Sequence, residues 1–260
     1  MQEDELARAL EARGRGGSVW VRNDTFAVPR AGVDEPRGVA VVYGAGITYV
    51  GVRPYRAVPR PRVAFRVLER RGEGLVDEAL RHTARVADGR AGPTELARAL
   101  PARFGLGSMY ELVQALHLGR IPGERPYQLA PMVFAVGAVG DPVARALVER
   151  LAGEVVTMAV VALGWLGLRI APEPVPVALG RGVAAAGHPA LGGRIGELLR
   201  ERAPRATPRV VVAPPVLGAA LLGPDDTGAH EAAGEVLRAW FTPGLKPAGR
   251  SGVVRAEGIG

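Results

Sequence analysis

A largely α/β sheet carrying a helical insertion follows from three changes of period along the 260 residues. Residues 37–67 alternate with period 2, as strands do. From Leu75 to Leu168 the apolar residues recur with period 3.6. From Val175 onward strand, glycine turn and helix alternate, as crossover units require.

The elements follow in order. Residues 3–13 (EDELARALEAR) place Leu6, Ala9 and Leu10 on one side of a helix that stops at Gly14-Arg15-Gly16-Gly17. Residues 19–22 are β-like and end at Asn23-Asp24-Thr25, where Asp and Thr suit a helix cap. Residues 37–42, 47–52 and 62–67 read as a strand–turn–strand–strand meander, the last on the edge side. Helical stretches are expected over 75–87, 93–100, 109–116 and 125–139. The longest spans 142–168, opened by Gly140-Asp141-Pro142 with Asp at the N-cap and Pro at the first helical position. A strand over 175–179, a helix over 191–202, a strand over 209–213 and a helix over 216–222 come next. A helix over 231–241 and a loose Pro/Gly tail over 242–260 complete the chain.

Composition excludes several classes. No cysteine is present, so disulfides, thiolate zinc sites, cysteine nucleophiles and cysteine-held iron–sulfur clusters are ruled out. The net charge is +7, yet Lys246 is the only lysine and the arginines are spread rather than gathered in a tract. A polyanion groove concentrates charge, so the expectation is a solvated arginine surface and no nucleic-acid partner. The acidic start (Met1-Gln2-Glu3-Asp4-Glu5) is unlike a signal peptide, and the apolar runs at 155–168 and 210–224 are too short for a bilayer. A cytoplasmic protein without membrane contact is expected.

Glycine turns follow three apolar stretches: Gly44-Ala45-Gly46, Gly180-Arg181-Gly182 and, more weakly, Gly218. Bare backbone at a sheet's carboxyl edge brings amide groups close to an anion, although such turns also serve as plain connections. None has Walker or Rossmann spacing. Asp24, at a strand end, suits a general base in phosphoryl transfer; the other reading is a helix cap. His82, His117, His188 and His230 form no pair at helical metal-site spacing, and Ser18, Ser108 and Ser251 lack a nucleophile elbow. Trp20, Trp165 and Trp240 read as core residues.

The order of the motifs points to a family. Trp20-Val21-Arg22-Asn23-Asp24-Thr25, then Gly38-Val39-Ala40-Val41-Val42-Tyr43-Gly44-Ala45-Gly46, Ala87-Asp88-Gly89-Arg90 and Gly140-Asp141-Pro142 are joined by Leu179-Gly180-Arg181-Gly182 and Pro214-Pro215-Val216-Leu217-Gly218. Over about residues 3–223 the chain resembles the BadF/BadG/BcrA/BcrD ATPases, which include N-acetylglucosamine kinases. The resemblance implies the sugar kinase/actin/Hsp70 superfamily, with two ribonuclease-H-like lobes and ATP, with Mg2+, in the cleft between them. It implies Asp24 as the base that deprotonates the sugar hydroxyl, Asn23 beside the sugar, and Gly44, Ala45 and Gly46 at the ATP phosphates. Gly180, Arg181 and Gly182 would meet the adenosine.

Three departures are visible. An Asp-Gly-Gly-Gly-Thr-like first phosphate loop is missing. Glu69, Arg70, Arg71 and Glu73 replace a Gly-Asp-rich segment that borders the sugar, and Arg181 stands in place of a glycine. The absence of cysteine removes the family's iron–sulfur activators and leaves the sugar-kinase branch. The expected organisation is a remnant of an N-terminal lobe over 1–36, an actin-like ATPase domain over 37–225 with a helical insertion at about 73–140, and a C-terminal helix and tail over 226–260. The partners implied are a nucleotide, a small amino sugar, and either a second copy or a missing N-terminal lobe against the sheet edge. The competing expectation is a truncated or degenerate, catalytically inactive binding module.

Overall fold

The computed structural model describes residues 2–14, 19–22, 24–33, 37–43, 47–53, 62–68, 74–180, 189–227 and 230–241. Helix α1 (Gln2–Glu11) is followed by residues 19–22, a 3-10 turn over Asp24–Phe26 and the short helix α2 (Ala27–Gly32). Strands β1 (Gly38–Tyr43), β2 (Ile47–Arg53) and β3 (Arg62–Leu68) form the meander. Helices α3 (Leu75–Ala87), α4 (Leu96–Ala102), α5 (Met109–His117) and α6 (Ala130–Ala138) lead to the long α7 (Pro142–Trp165). Then come β4 (Val175–Gly180), α8 (Pro189–Arg202), β5 (Ala206–Val211), α9 (Pro215–Thr227) and α10 (His230–Phe241).

The five strands lie in the order β3-β2-β1-β4-β5. β1 pairs antiparallel with β2, and β2 with β3, whereas β1–β4 and β4–β5 are parallel. This mixed sheet with helices on both faces has the strand order of a ribonuclease-H-like fold.

Alternation along the strands divides the core in two. Val39, Val41, Val177 and Leu179 face the larger side, where they join Val155, Ala159, Ala162 and Leu163 of α7 and Leu191 and Ile195 of α8. Ala40, Val50 and Ala178 face the other side, which Val28 and Ala31 of α2 cover. α2 in turn packs against α9, and α9 against α10.

Helices α3–α6 form a body against the long helix, with Leu96, Leu100, Leu112, Leu129 and Val133 wholly buried. Asp141 pins this body to α7. Its carboxylate accepts from the Ala144 amide at 2.8 Å, capping α7. It also accepts from the Thr94 hydroxyl and the Glu95 amide, each at 2.9 Å. Burial alone would raise its pKa, but the hydrogen bonds from Ala144, Glu95, Thr94 and Val143 together hold it below the usual carboxylate value.

Three expectations are corrected. Residues 19–22 are not a strand, because no neighbouring strand pairs with them. β5 starts at Ala206 and runs through Pro208, which an edge strand accommodates. The tryptophans are not core: Trp20, Trp165 and Trp240 are 49%, 53% and 67% exposed. Arg22 lies 5.9 Å from the Trp20 ring centre, and Trp165 packs against Tyr49 with ring centres 6.5 Å apart.

Candidate functional site at the carboxyl edge of the sheet

Because β1, β4 and β5 are parallel, their carboxyl ends share one edge, where open α/β sheets present their ligand sites. α2 lies on one face of the sheet beside that edge. Gly180 is the last residue of β4 and meets Val28; Val211 is the last of β5 and meets Gly32. The 3-10 turn that precedes α2 touches β1, β2 and α9.

Asp24 is the first residue of this turn, and its side chain is exposed. Thr25 beside it is buried, which fixes the turn to the molecule while the carboxylate stays in solvent. The N-cap of α2 is Phe26, in helical conformation and without a side-chain cap bond. Asp24 is therefore not the capping residue of α2, the other reading its local sequence allowed.

Of the remaining site residues inferred from the sequence, Gly180 alone is among the described ones. Asn23, Gly44, Ala45, Gly46, Arg181 and Gly182 lie outside them, as do Glu69, Arg70, Arg71 and Glu73. The ends that flank these loops are described. Tyr43 and Ile47 are paired across the β1–β2 turn, and Gly180 ends β4.

The glycines at this edge are spaces filled by the protein itself. A Cβ at Gly180 would lie 2.4 Å from Val28 Cγ1. One at Gly218 would lie 1.8 Å from the Ala27 carbonyl oxygen, and one at Gly32 2.4 Å from Val211 Cγ2. Real Cβ atoms do not approach so closely, so each glycine is required by the seating of α2. Gly218, expected in a turn, lies inside the first half of α9.

A groove of about 710 Å³ opens between α6, α7 and α8. Its walls include Phe134, Ala138, Val148, Pro189 and Ala190, with Arg145 and Arg194 among the polar groups. β5 begins opposite Val175, the start of β4, so α8 runs from the carboxyl edge back to the amino edge. Its first turns, and the groove with them, lie on the carboxyl side. Arg145 Nε donates to the Gly137 carbonyl at 3.2 Å. Arg194 Nε donates to Glu149 Oε1 at 2.7 Å and its Nη1 to Glu197 at 3.0 Å, which hold its pKa above the usual arginine value. The reading of the sequence missed this groove. Its signal was Gly192-Gly193 inside a helix: a Cβ at Gly193, which lines the groove, would meet nothing within 4 Å.

The chain has the fold of the actin-like ATPases. The solved structures that match it include two sugar-kinase candidates. One is a candidate N-acetylglucosamine kinase from Chromobacterium violaceum, with TM-score 0.54 and 22% identity, covering 77% of this chain and 66% of that one. The other is a candidate N-acetylglucosamine kinase from Porphyromonas gingivalis, with TM-score 0.56 and 15% identity, covering 82% of this chain and 70% of that one. The chain thus spans about two thirds of the length of these neighbours. No family model and no curated protein matches it. Among the described residues, no helix is long and apolar enough to cross a membrane.

Proposed function

We propose that the protein is an ATP-dependent sugar kinase of the BadF/BadG/BcrA/BcrD type, acting on N-acetylglucosamine or a related amino sugar. The observation that supports this most is the exposed Asp24 on a segment seated beside the carboxyl ends of the parallel strands. The structural neighbours are consistent with the same reading at the level of fold.

In this reading Asp24 accepts the proton of one sugar hydroxyl. The freed oxygen attacks the γ-phosphorus of ATP as the bond to the β-phosphate oxygen breaks, and ADP leaves. Asn23 orients the sugar. Gly44, Ala45 and Gly46 border the phosphates, where bare amides suit developing negative charge. Gly180, Arg181 and Gly182 meet the nucleoside. The groove beside α8 suits a base and ribose: its walls are largely apolar, with the guanidinium and carboxylate groups of Arg145, Glu149, Arg194 and Glu197 among them. Among the described residues no three His, Asp or Glu side chains gather as metal ligands. In this reading magnesium enters with ATP, as part of the substrate.

Incubation with ATP, magnesium and N-acetylglucosamine tests this directly. Sugar-dependent ADP release well above an Asp24→Ala control is the expected result. Turnover no higher than that control would sink the kinase reading. Calorimetric binding of ATP without phosphorylation would then favour the inactive nucleotide-binding module.

A further inference from the structure

We propose that Arg238, on the C-terminal helix α10, is a positioning residue that locks the segment carrying Asp24. The proposal rests on Asp24 being the proton acceptor. α2 has six residues, too few to persist as a helix on its own, so its orientation is set by what holds it. Its N-terminal end is held by packing: the Ala27 backbone against Gly218 and the Val28 side chain against Gly180. Its C-terminal end is held by Gly32 packed on Val211 and by hydrogen bonds from α10. Arg238 Nη1 donates to the Ala31 carbonyl at 3.2 Å, and Nη2 to the Arg30 carbonyl at 3.4 Å. Carbonyls in a last helical turn lack partners of their own, and a cation there also sits at the negative end of the helix. With α10 on α9 and α9 on α2, Arg238 closes a ring of three helices.

The tightest contact along α2 is Ala27 on Gly218, where backbone meets helix with no room for a Cβ. Ala27 lies between Asp24 and the Arg30–Ala31 end, so it acts as a pivot with arms of similar length. A shift at the Arg238 end reappears at Asp24, and a displacement of roughly 1 Å at a catalytic group is enough for about a 100-fold loss of rate.

The test uses the full chain, its Arg238→Ala and Arg238→Lys variants, and two readouts. One is kcat and KM for phosphoryl transfer from Mg·ATP to N-acetylglucosamine; the other is deuterium exchange of the amides of 24–33. Arg238→Ala is expected to lower kcat by about 10-fold or more while the sugar KM changes by less than about 2-fold, since the lost factor is orientation. Exchange over 24–33 should quicken while β1 and β4 keep their protection. Arg238→Lys, which reaches one carbonyl instead of two, should recover most of kcat and stays usable if the alanine variant does not fold. A lower melting temperature with kcat unchanged in both variants would make Arg238 merely structural and overturn the proposal. Absence of turnover in the unaltered chain would overturn the role of Asp24 instead. The lock is then decided by exchange, and unaltered exchange over 24–33 in the variants would overturn it too.

Discussion

The two faces of the sheet are built on different principles. The face under α7 and α8 is thick, with branched side chains such as Val41, Val177, Leu179 and Leu163 filling one large core. The face under α2 is thin, with Ala40, Ala178 and Gly180 where bulk would otherwise stand, and Gly218 of the neighbouring α9 takes the Ala27 backbone. Interdigitated branched side chains yield stability and tolerate small rearrangements. Backbone packed on glycine yields little buried area but leaves the covering segment one position. The thick face holds the domain together, and the thin face seats the segment that carries Asp24, the proposed base.

Four changes probe this contrast, and the largest should come from the tightest glycine on the thin face. Gly218→Ala puts a methyl group 1.8 Å from the Ala27 carbonyl oxygen, where only backbone could yield. It should displace α2, cut turnover by about 100-fold, and cost about 3 kcal/mol or more of stability in denaturant titrations.

On the thick face, Leu163→Ala removes a side chain that is 1% exposed and should cost about 2–5 kcal/mol. Turnover measured well below its melting temperature should be unchanged. Equal loss of kcat in this variant would erase the distinction between the faces.

Asp141→Asn comes third, at about 1–2 kcal/mol, because an amide can still cap α7 but cannot replace the carboxylate that accepts from Ala144, Thr94 and Glu95 together. Its pH dependence has a definite sign. The folded-state pKa of Asp141 is depressed, so its contribution is present above the unfolded value near 4 and is lost as pH falls through the folded one. The stability gap between the variant and the unaltered protein should therefore be widest at neutral pH and close on acidification below about pH 4.

The smallest net effect belongs to a compensating pair. Gly180→Ala alone meets Val28 Cγ1 at 2.4 Å and should destabilise by about 1–3 kcal/mol. Adding Val28→Ala should recover most of that loss, because the two methyl volumes share one space. Failure of the second change to recover stability would mean that Gly180 is glycine for a reason other than α2.

Much of the architecture was legible because it is local. The period-2 run over 37–67 and the helical spacing after Leu75 gave β1–β3 and α3–α7, and Asp141-Pro142 marked the start of α7 as the structure has it. Strand pairing is not local, which is why residues 19–22 have β-like residues but no strand. The glycines show the same limit. Gly180 and Gly218 sit in runs that suit ligand loops, yet the atoms that exclude a side chain there come from Val28 and Ala27, about 150 and 190 residues away along the chain. The groove between α6, α7 and α8 arises only when three separate helices meet, and the Gly192-Gly193 pair was its one local trace. Asp24 was legible as a candidate base, but its release from capping α2 required the position of Phe26.

The most direct test of the proposal that the thin face positions a catalytic carboxylate is the rate of sugar-dependent ADP release by Asp24→Asn beside the unaltered protein, at matched stability. Asp24 is exposed, so the substitution should leave the melting temperature unchanged. Turnover with Mg·ATP and N-acetylglucosamine should fall by about 100- to 10,000-fold, the range for a lost general base. A variant that turns over as fast as the unaltered protein, or an unaltered protein that releases no ADP in response to sugar, would contradict the account.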